Sequence, residues 1–186
     1  MLIGFFMLFF LPILLSWYLV FFTDYQPGAG TQHGILIDPP RQLADLQLVD
    51  PVSGNIRSIY GYWNMIAFVN GTCDETCIND LYRMRQIRLA TGNEATRLQR
   101  VIYFSDQENA EMAKDLFRDF TGQLLLPPGN INEQQLSLFE LTGIDRQHAI
   151  YLIDPAGFLM MSYPAGTDPT GIIKDMKKLL RISKLD

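Results

Sequence analysis

The chain has 186 residues, a formal net charge of −5 and a pI near 5.0, with 48% hydrophobic residues and two cysteines. That length holds one globular domain and a short extra segment. The acidic balance excludes nucleic acid as a natural partner, because phosphate recognition needs a clustered basic face. Two cysteines are too few for a disulfide scaffold.

Residues 1–22, MLIGFFMLFFLPILLSWYLVFF, carry no charged side chain. As a helix they reach ~31 Å, the thickness of a bilayer's hydrocarbon core. Pro12 and Ser16 are tolerable in such a helix, and Trp17 and Tyr18 sit near one end, where interfacial aromatics belong. A cleaved signal peptide would want a basic start, a shorter apolar core and a small-residue cleavage site, none of which is clear here. The expectation is a single transmembrane anchor over 1–22 that holds the chain in a lipid bilayer. No Lys or Arg precedes the span, and only Arg41 and Arg57 follow it within about 40 residues, which suits a translocated, extracytoplasmic domain on an inner, cytoplasmic-type membrane.

Residues 23–34, rich in Gly, Pro, Gln and Thr, read as a linker in which His33 is a solvated residue. A single domain is expected over 35–186. Leu46, Leu48, Ile56 and Ile59 alternate with polar residues around the turn signal DPVSGN, a hairpin pattern. Residues 62–69 form an apolar run typical of a buried strand, ending at Asn70-Gly71-Thr72. From Cys73 to Ala90, Ile78, Leu81, Tyr82, Met84 and Ile87 recur at helical spacing. Arg83, Arg85 and Arg88 on that helix read as a solvated face.

Strand 101–104 follows, then a helix over 107–120 with Met112, Leu116, Phe117 and Phe120 on its core side. Met65, Met84 and Met112 are assigned to packing. Segment 127–131 reads as a connection to a short helix over 132–141. Strands 149–153 and 158–163 flank the turn Asp154-Pro155-Ala156-Gly157. The last helix starts at Asp168 as N-cap with Pro169 in its first turn, and buries Ile172, Ile173, Met176, Leu179 and Leu180. Strand–helix–strand alternation followed by a hairpin and a closing helix predicts an α/β fold with a mixed sheet flanked by helices, of thioredoxin-like type.

Cys73 and Cys77 lie between a buried strand and a helix. If the helix opens near Cys73, the two share one face, with Cβ atoms about 5–6 Å apart, near enough for a disulfide or a chelate. A helix N-terminus favours thiolate, whereas Asp74 and Glu75 oppose it and attract a cation. A bridge between residues four apart closes almost no loop and adds little stability, which argues for a functional dithiol.

His148 precedes strand 149–153, in the loop that packs against the start of the dithiol helix in a thioredoxin-like topology, so its imidazole is a candidate third ligand. Two thiolates and one imidazole select Cu(I), and hold Cu(II) with an added ligand; zinc would want a fourth ligand that is not evident. Asp145 is the candidate partner for the second ring nitrogen of His148.

The run LQLVDPVSGNIRSIYGYWNMIAFVNGTCDETCINDLYRM (46–84) resembles the opening of the Sco/SenC domain: a hairpin, a buried strand, then a CxxxC motif on a helix. The stretch HAIYLIDPAG (148–157) looks like that family's second signature, a His followed by a strand and an Asp-Pro-x-Gly turn. The chain departs from the pattern at Asp74 and Ile78, where proline is usual after each cysteine, and at 105–109, where Asp-Pro-x-x-Asp is replaced by SDQEN. It is identified as a divergent relative. The resemblance implies a thioredoxin fold and a copper metallochaperone for the dinuclear copper centre of cytochrome c oxidase, so the partner is the oxidase subunit carrying that centre. Its copper ligands by matched position are Cys73, Cys77 and His148. The alternative is a membrane-tethered thiol–disulfide oxidoreductase acting on extracytoplasmic proteins, in which Cys73 attacks and Cys77 resolves. CxxxC spacing, rather than CxxC, disfavours this alternative.

Overall fold

The computed structural model describes residues 2–22 and 32–183, the side chains of 2–6 and 20 excepted. Two units are distinguished, Met1–Thr31 and Gln32–Asp186. In the first, α1 runs over Leu2–Phe22 with Pro12 inside it and no charged residue in either terminal turn. Counted over the described residues, no helix is long and apolar enough to cross a membrane. Most of the expected linker, residues 23–31, lies outside the described residues.

The second unit is built on one eight-stranded sheet that starts from the edge strand β1 (Ile35–Gln42) and runs in the order β1-β8-β7-β4-β5-β6-β2-β3. Its inner strands include β4 (Trp63–Val69), β5 (Leu98–Phe104) and β7 (Ile150–Ile153), with β8 (Phe158–Tyr163) between β7 and β1. β4 and β5 are parallel through α2 (Glu75–Ala90), while β7 runs antiparallel to both β4 and β8. All seven residues of β4 and of β5 are buried, because both faces of these central strands are covered. The expected hairpin forms from β2 (Gln47–Val49) and β3 (Ile56–Ser58), and it docks through β6 (Gln123–Leu126) onto the free side of β5.

One face of the sheet packs Met65, Ala67, Ile102 and Phe104 under α2, α3 (Gln107–Met112) and α5 (Pro169–Ile182). The other face closes over Phe68, Tyr151 and Phe139, whose rings meet edge to face at centroid separations of 4.9–5.6 Å. Phe139 follows α4 (Glu133–Ser137), which Asn132 and Gln135 open with a reciprocal capping box. In α5, Asp168 accepts from the Thr170 N–H as expected, and Ile172, Met176 and Leu180 are buried.

Three further expectations are corrected. The helix expected over 107–120 stops at Met112 and resumes as a short 3-10 turn at Leu116–Arg118, which leaves Met112 58% exposed instead of in the core. Of the three arginines read as solvated on α2, Arg83 is mostly buried, donating to the Thr167 carbonyl, and Arg88 Nε donates to the Leu98 carbonyl at 2.8 Å. His33 is no free linker residue. Its backbone N–H donates to Asp175 Oδ2 at 2.7 Å, its Nδ1 lies 3.1 Å from Oδ1, and Gly34 N–H adds a third contact at 3.2 Å. Asp175 also accepts from the Tyr163 hydroxyl, and a Cβ at Gly171 would lie 2.7 Å from the His33 ring.

On β5, Arg100 is 1% exposed; its Nη2 donates to the Thr121 carbonyl at 2.6 Å, while Nε and Nη1 find no hydrogen-bond partner among the described residues.

Candidate functional site

The strand β4 ends at Val69, and Gly71, at φ +85°, supplies the left-handed turn that a side chain resists. The chain then reaches Cys73 and Asp74. The helix opens two residues later than the spacing suggests, at Glu75, because Asp74 is the N-cap. Its Oδ1 accepts the Cys77 N–H at 3.0 Å. Cys73 therefore stands just before the cap, and Cys77 occupies the third helical position.

The two cysteines form a disulfide with a Cα–Cα separation of 5.1 Å. They are unequal. Cys77 is fully buried against Leu81 and Met84, whereas Cys73 is half-buried at the edge of the core. The cap takes up one of the helix's free N–H donors and sets a carboxylate beside Cys77, so the terminus is less favourable to a thiolate there than an uncapped one.

His148 sits at φ +62°, a left-handed conformation that is uncommon outside glycine. Neighbouring Gln147 bridges to Phe68 of β4, and the Arg146 guanidinium lies 5.3 Å from the centre of the Phe68 ring. These contacts hold the loop to the sheet and turn the imidazole toward α2. Its Nδ1 lies 2.8 Å from Asp80 Oδ2, and Arg83 Nη1 is 3.8 Å from the other carboxylate oxygen. A carboxylate accepts only, so Nδ1 carries the proton, and in the neutral ring Nε2 keeps the lone pair.

Asp145, the expected partner, instead accepts the Gln147 N–H two residues on. The place foreseen for it at Nδ1 of the ring is taken by Asp80. Asp80 escaped the sequence reading, yet it carried a signal. It stands on the buried stripe Cys77, Leu81, Met84, Ile87, where a carboxylate needs a partner across the core.

The structure thus joins Cys73 to Cys77, and ties His148 to Asp80, one helical turn beyond Cys77. Among the described residues, with both sulfurs in the disulfide, no three His, Cys, Asp or Glu side chains form a metal-binding group.

The fold is shared with solved structures. The copper-bound ScoI of Bradyrhizobium japonicum is 21% identical, with a TM-score of 0.56 over 74% of this chain and 99% of that one. Yeast Sco1 is 16% identical, with a TM-score of 0.60 over 80% and 99%. A thiol:disulfide interchange protein from Bacteroides sp. is also 16% identical, with a TM-score of 0.53 over 78% and 91%. No curated protein sequence matches the chain. The model of the transmembrane-like, thioredoxin-like, C-terminal domain family matches residues 63–183, which run from β4 through the dithiol and His148 to the end of α5. The chain belongs to that family.

Proposed function

We propose that the chain is a membrane-anchored copper-binding assembly factor that serves the dinuclear copper centre of cytochrome c oxidase. The observation that carries this reading is the pairing of a CxxxC dithiol at the head of α2 with an imidazole held against the next turn of the same helix. Copper is cargo here. The disulfide offers no donor set; two electrons and two protons convert it to the dithiol, and loss of the protons then gives two soft thiolates. Cys73 and Cys77 would hold Cu(I) together with Nε2 of His148, the nitrogen that Asp80 leaves free. Likeness to copper-bound ScoI supports the reading. In this reading residues 1–22 supply the bilayer anchor by their length and lack of charge, and the scarcity of Lys and Arg in the residues that follow sets the domain on the extracytoplasmic side.

The deciding experiment is an anaerobic Cu(I) titration of the reduced full chain in detergent, wild type against His148→Ala and Cys77→Ser. Tight one-to-one binding that weakens at least about tenfold in each variant is expected, since removing a ligand removes a soft donor. Equal affinity in all three proteins overturns the copper reading. Membrane retention after alkaline carbonate extraction checks the anchor, and release of the chain into the supernatant removes it.

A second reading, a thiol–disulfide oxidoreductase, is favoured by one observation: the bridge joins a half-exposed sulfur to a buried one, the asymmetry that an attacked and a resolving cysteine require. Turnover of a disulfide substrate without metal would establish it.

A further inference from the structure

Basic charge gathers at one end of this acidic chain. Residues 169–186 hold five of its fifteen Lys and Arg residues but two of its twenty Asp and Glu residues. Four of those five bases, Lys174, Lys177, Lys178 and Arg181, stand exposed along α5. They fall three and four residues apart, so each has a like charge one turn away, an arrangement that costs a helix stability. The helix dipole rewards Arg181 in the last turn but not Lys174, which lies in the N-terminal half. The one acid within α5, Asp175, offers little relief. It is buried, and it takes the His33 and Gly34 N–H groups, the His33 ring and the Tyr163 hydroxyl. Asp168, the N-cap, feels Lys174 alone of the four. Among the described residues, Lys174, Lys177 and Arg181 form no ion pair.

Beside this stripe the surface is apolar. Leu36 of β1 is 50% exposed and Ile182 of α5 70%. A hollow of about 150 Å³ joins them through Met160 and Leu179, and Lys178, Asp175 and Gln32 share its lining. Gln32 is where the described domain begins. Nine residues, 23–31, separate it from Phe22, the last residue of α1. Even fully stretched, such a length spans at most ~30 Å. Exposed bases beside an apolar seat, at the place where a short connection from an uncharged helix enters the domain, specify an occupant: the headgroup layer of a bilayer that contains anionic lipid.

We infer that this face, the exposed side of α5 with the neighbouring edge of β1, seats the domain on the anionic phospholipid surface of the bilayer that holds residues 1–22. The inference rests on the anchor reading of those residues. The ammonium and guanidinium heads meet headgroup phosphates, while their stems, with Leu36 and Ile182, cover the apolar boundary beneath. The tether holds the face at high local concentration over the lipid, so a contact too weak to recruit a free protein suffices to seat a linked one. The negative field of the lipid also relieves the repulsion along the stripe, which gives four like charges on one helix a use. Neither cysteine lines the hollow, so the inference is independent of the dithiol chemistry.

The test places the full chain in nanodiscs of phosphatidylcholine, either neat or with about one-third phosphatidylglycerol, and reads the acetylation rate of each lysine by mass spectrometry. Lys174 and Lys177 are expected to react about fivefold more slowly in the anionic discs and to recover at high salt. Lys114, ion-paired with Glu111 outside α5, is the internal reference and is expected to keep its rate. Leu36→Ser with Ile182→Ser is expected to cancel at least about half of the protection. Both side chains are exposed, so the fold needs them little. Equal rates in the two discs, an equal slowing of Lys114, or full protection in the double variant overturns the seat. Protection by inorganic phosphate in neutral discs overturns it too, since a free anion would then suffice. A chain that fails to enter either disc removes the anchor reading instead. Because the main contrast compares one unaltered protein in two lipids, it does not depend on how the variant folds.

Discussion

Nδ1 of His148 meets Oδ2 of Asp80 at 2.8 Å across the gap between the β7 loop and α2. The contact turns one buried carboxylate into the orienting partner of an imidazole that would otherwise choose between two tautomers. Asp80→Asn keeps the shape but removes the obligatory acceptor. It is expected to weaken Cu(I) binding about 10- to 100-fold, the usual range when a ligand's outer partner is lost. Competition titration of the reduced full chain reads this directly, and wild-type affinity in Asp80→Asn would strip Asp80 of the role.

The backbone of His148 makes a separate prediction. At φ +62° glycine is at ease and alanine is not. His148→Gly and His148→Ala lose the same ring and the same contact with Asp80, so their difference isolates the backbone. The glycine variant is expected to be the more stable by about 1 kcal/mol. Urea unfolding of both proteins measures it, and alanine matching or exceeding glycine would contradict the assigned conformation.

Asp74 acts on both the helix and the sulfurs. Asp74→Ala is expected to lose about 1 kcal/mol of stability through the missing cap, and Asp74→Ser to recover most of it. Serine also removes a negative charge beside Cys77, which stabilises the thiolate of the reduced pair. The Asp74→Ser disulfide should therefore be reduced at a less reducing glutathione ratio than wild type. An unchanged equilibrium would mean that the Asp74 charge does not reach the sulfur.

Arg100 marks a different sort of site. Burial, followed by the nearby charges of Arg88 and Arg85, lowers its pKa from the ordinary guanidinium range to about 10. A base with a depressed folded pKa destabilises the fold wherever both states are protonated, so the full cost stands below pH 10. Above about pH 10 the folded state sheds the proton before the unfolded chain does, and this contribution to stability recovers as pH rises. At neutral pH the penalty is on the order of 3 kcal/mol. Arg100→Met should accordingly raise the urea midpoint, by an amount equivalent to about 1–3 kcal/mol. A lowered midpoint would show that the guanidinium's bond to Thr121 outweighs its burial.

Much of the fold is legible along the chain where one period dominates. The apolar run ending at Val69 and the capped helix from Asp168 both lie where their patterns place them. β1 (Ile35–Gln42) is hidden because Pro39 and Pro40 deny it a strand signature. It survives as an edge strand whose pairing with β8 slips between Leu36 and Arg41, where missing donors matter least. β6, four residues long, is too short to show any period. The periodic rule misassigns Ile78, Tyr82 and Met112, all of which are exposed, for another reason: it finds which residues are apolar, but not whether a neighbouring element is long enough to cover them. In the site, the two cysteines and His148 stand out by type and place. Asp80 does not, since its partner is 68 residues away and only the folded β7 loop brings it across.

The clasp of His33 and Gly34 on Asp175 has a mechanical consequence. Three contacts to one carboxylate seat the point where the chain enters the domain on the closing helix, before β1 begins. A pull on the residues upstream is then borne by α5 and the core beneath Ile172 and Met176, and does not start by unzipping the slipped edge pairing of β1 with β8.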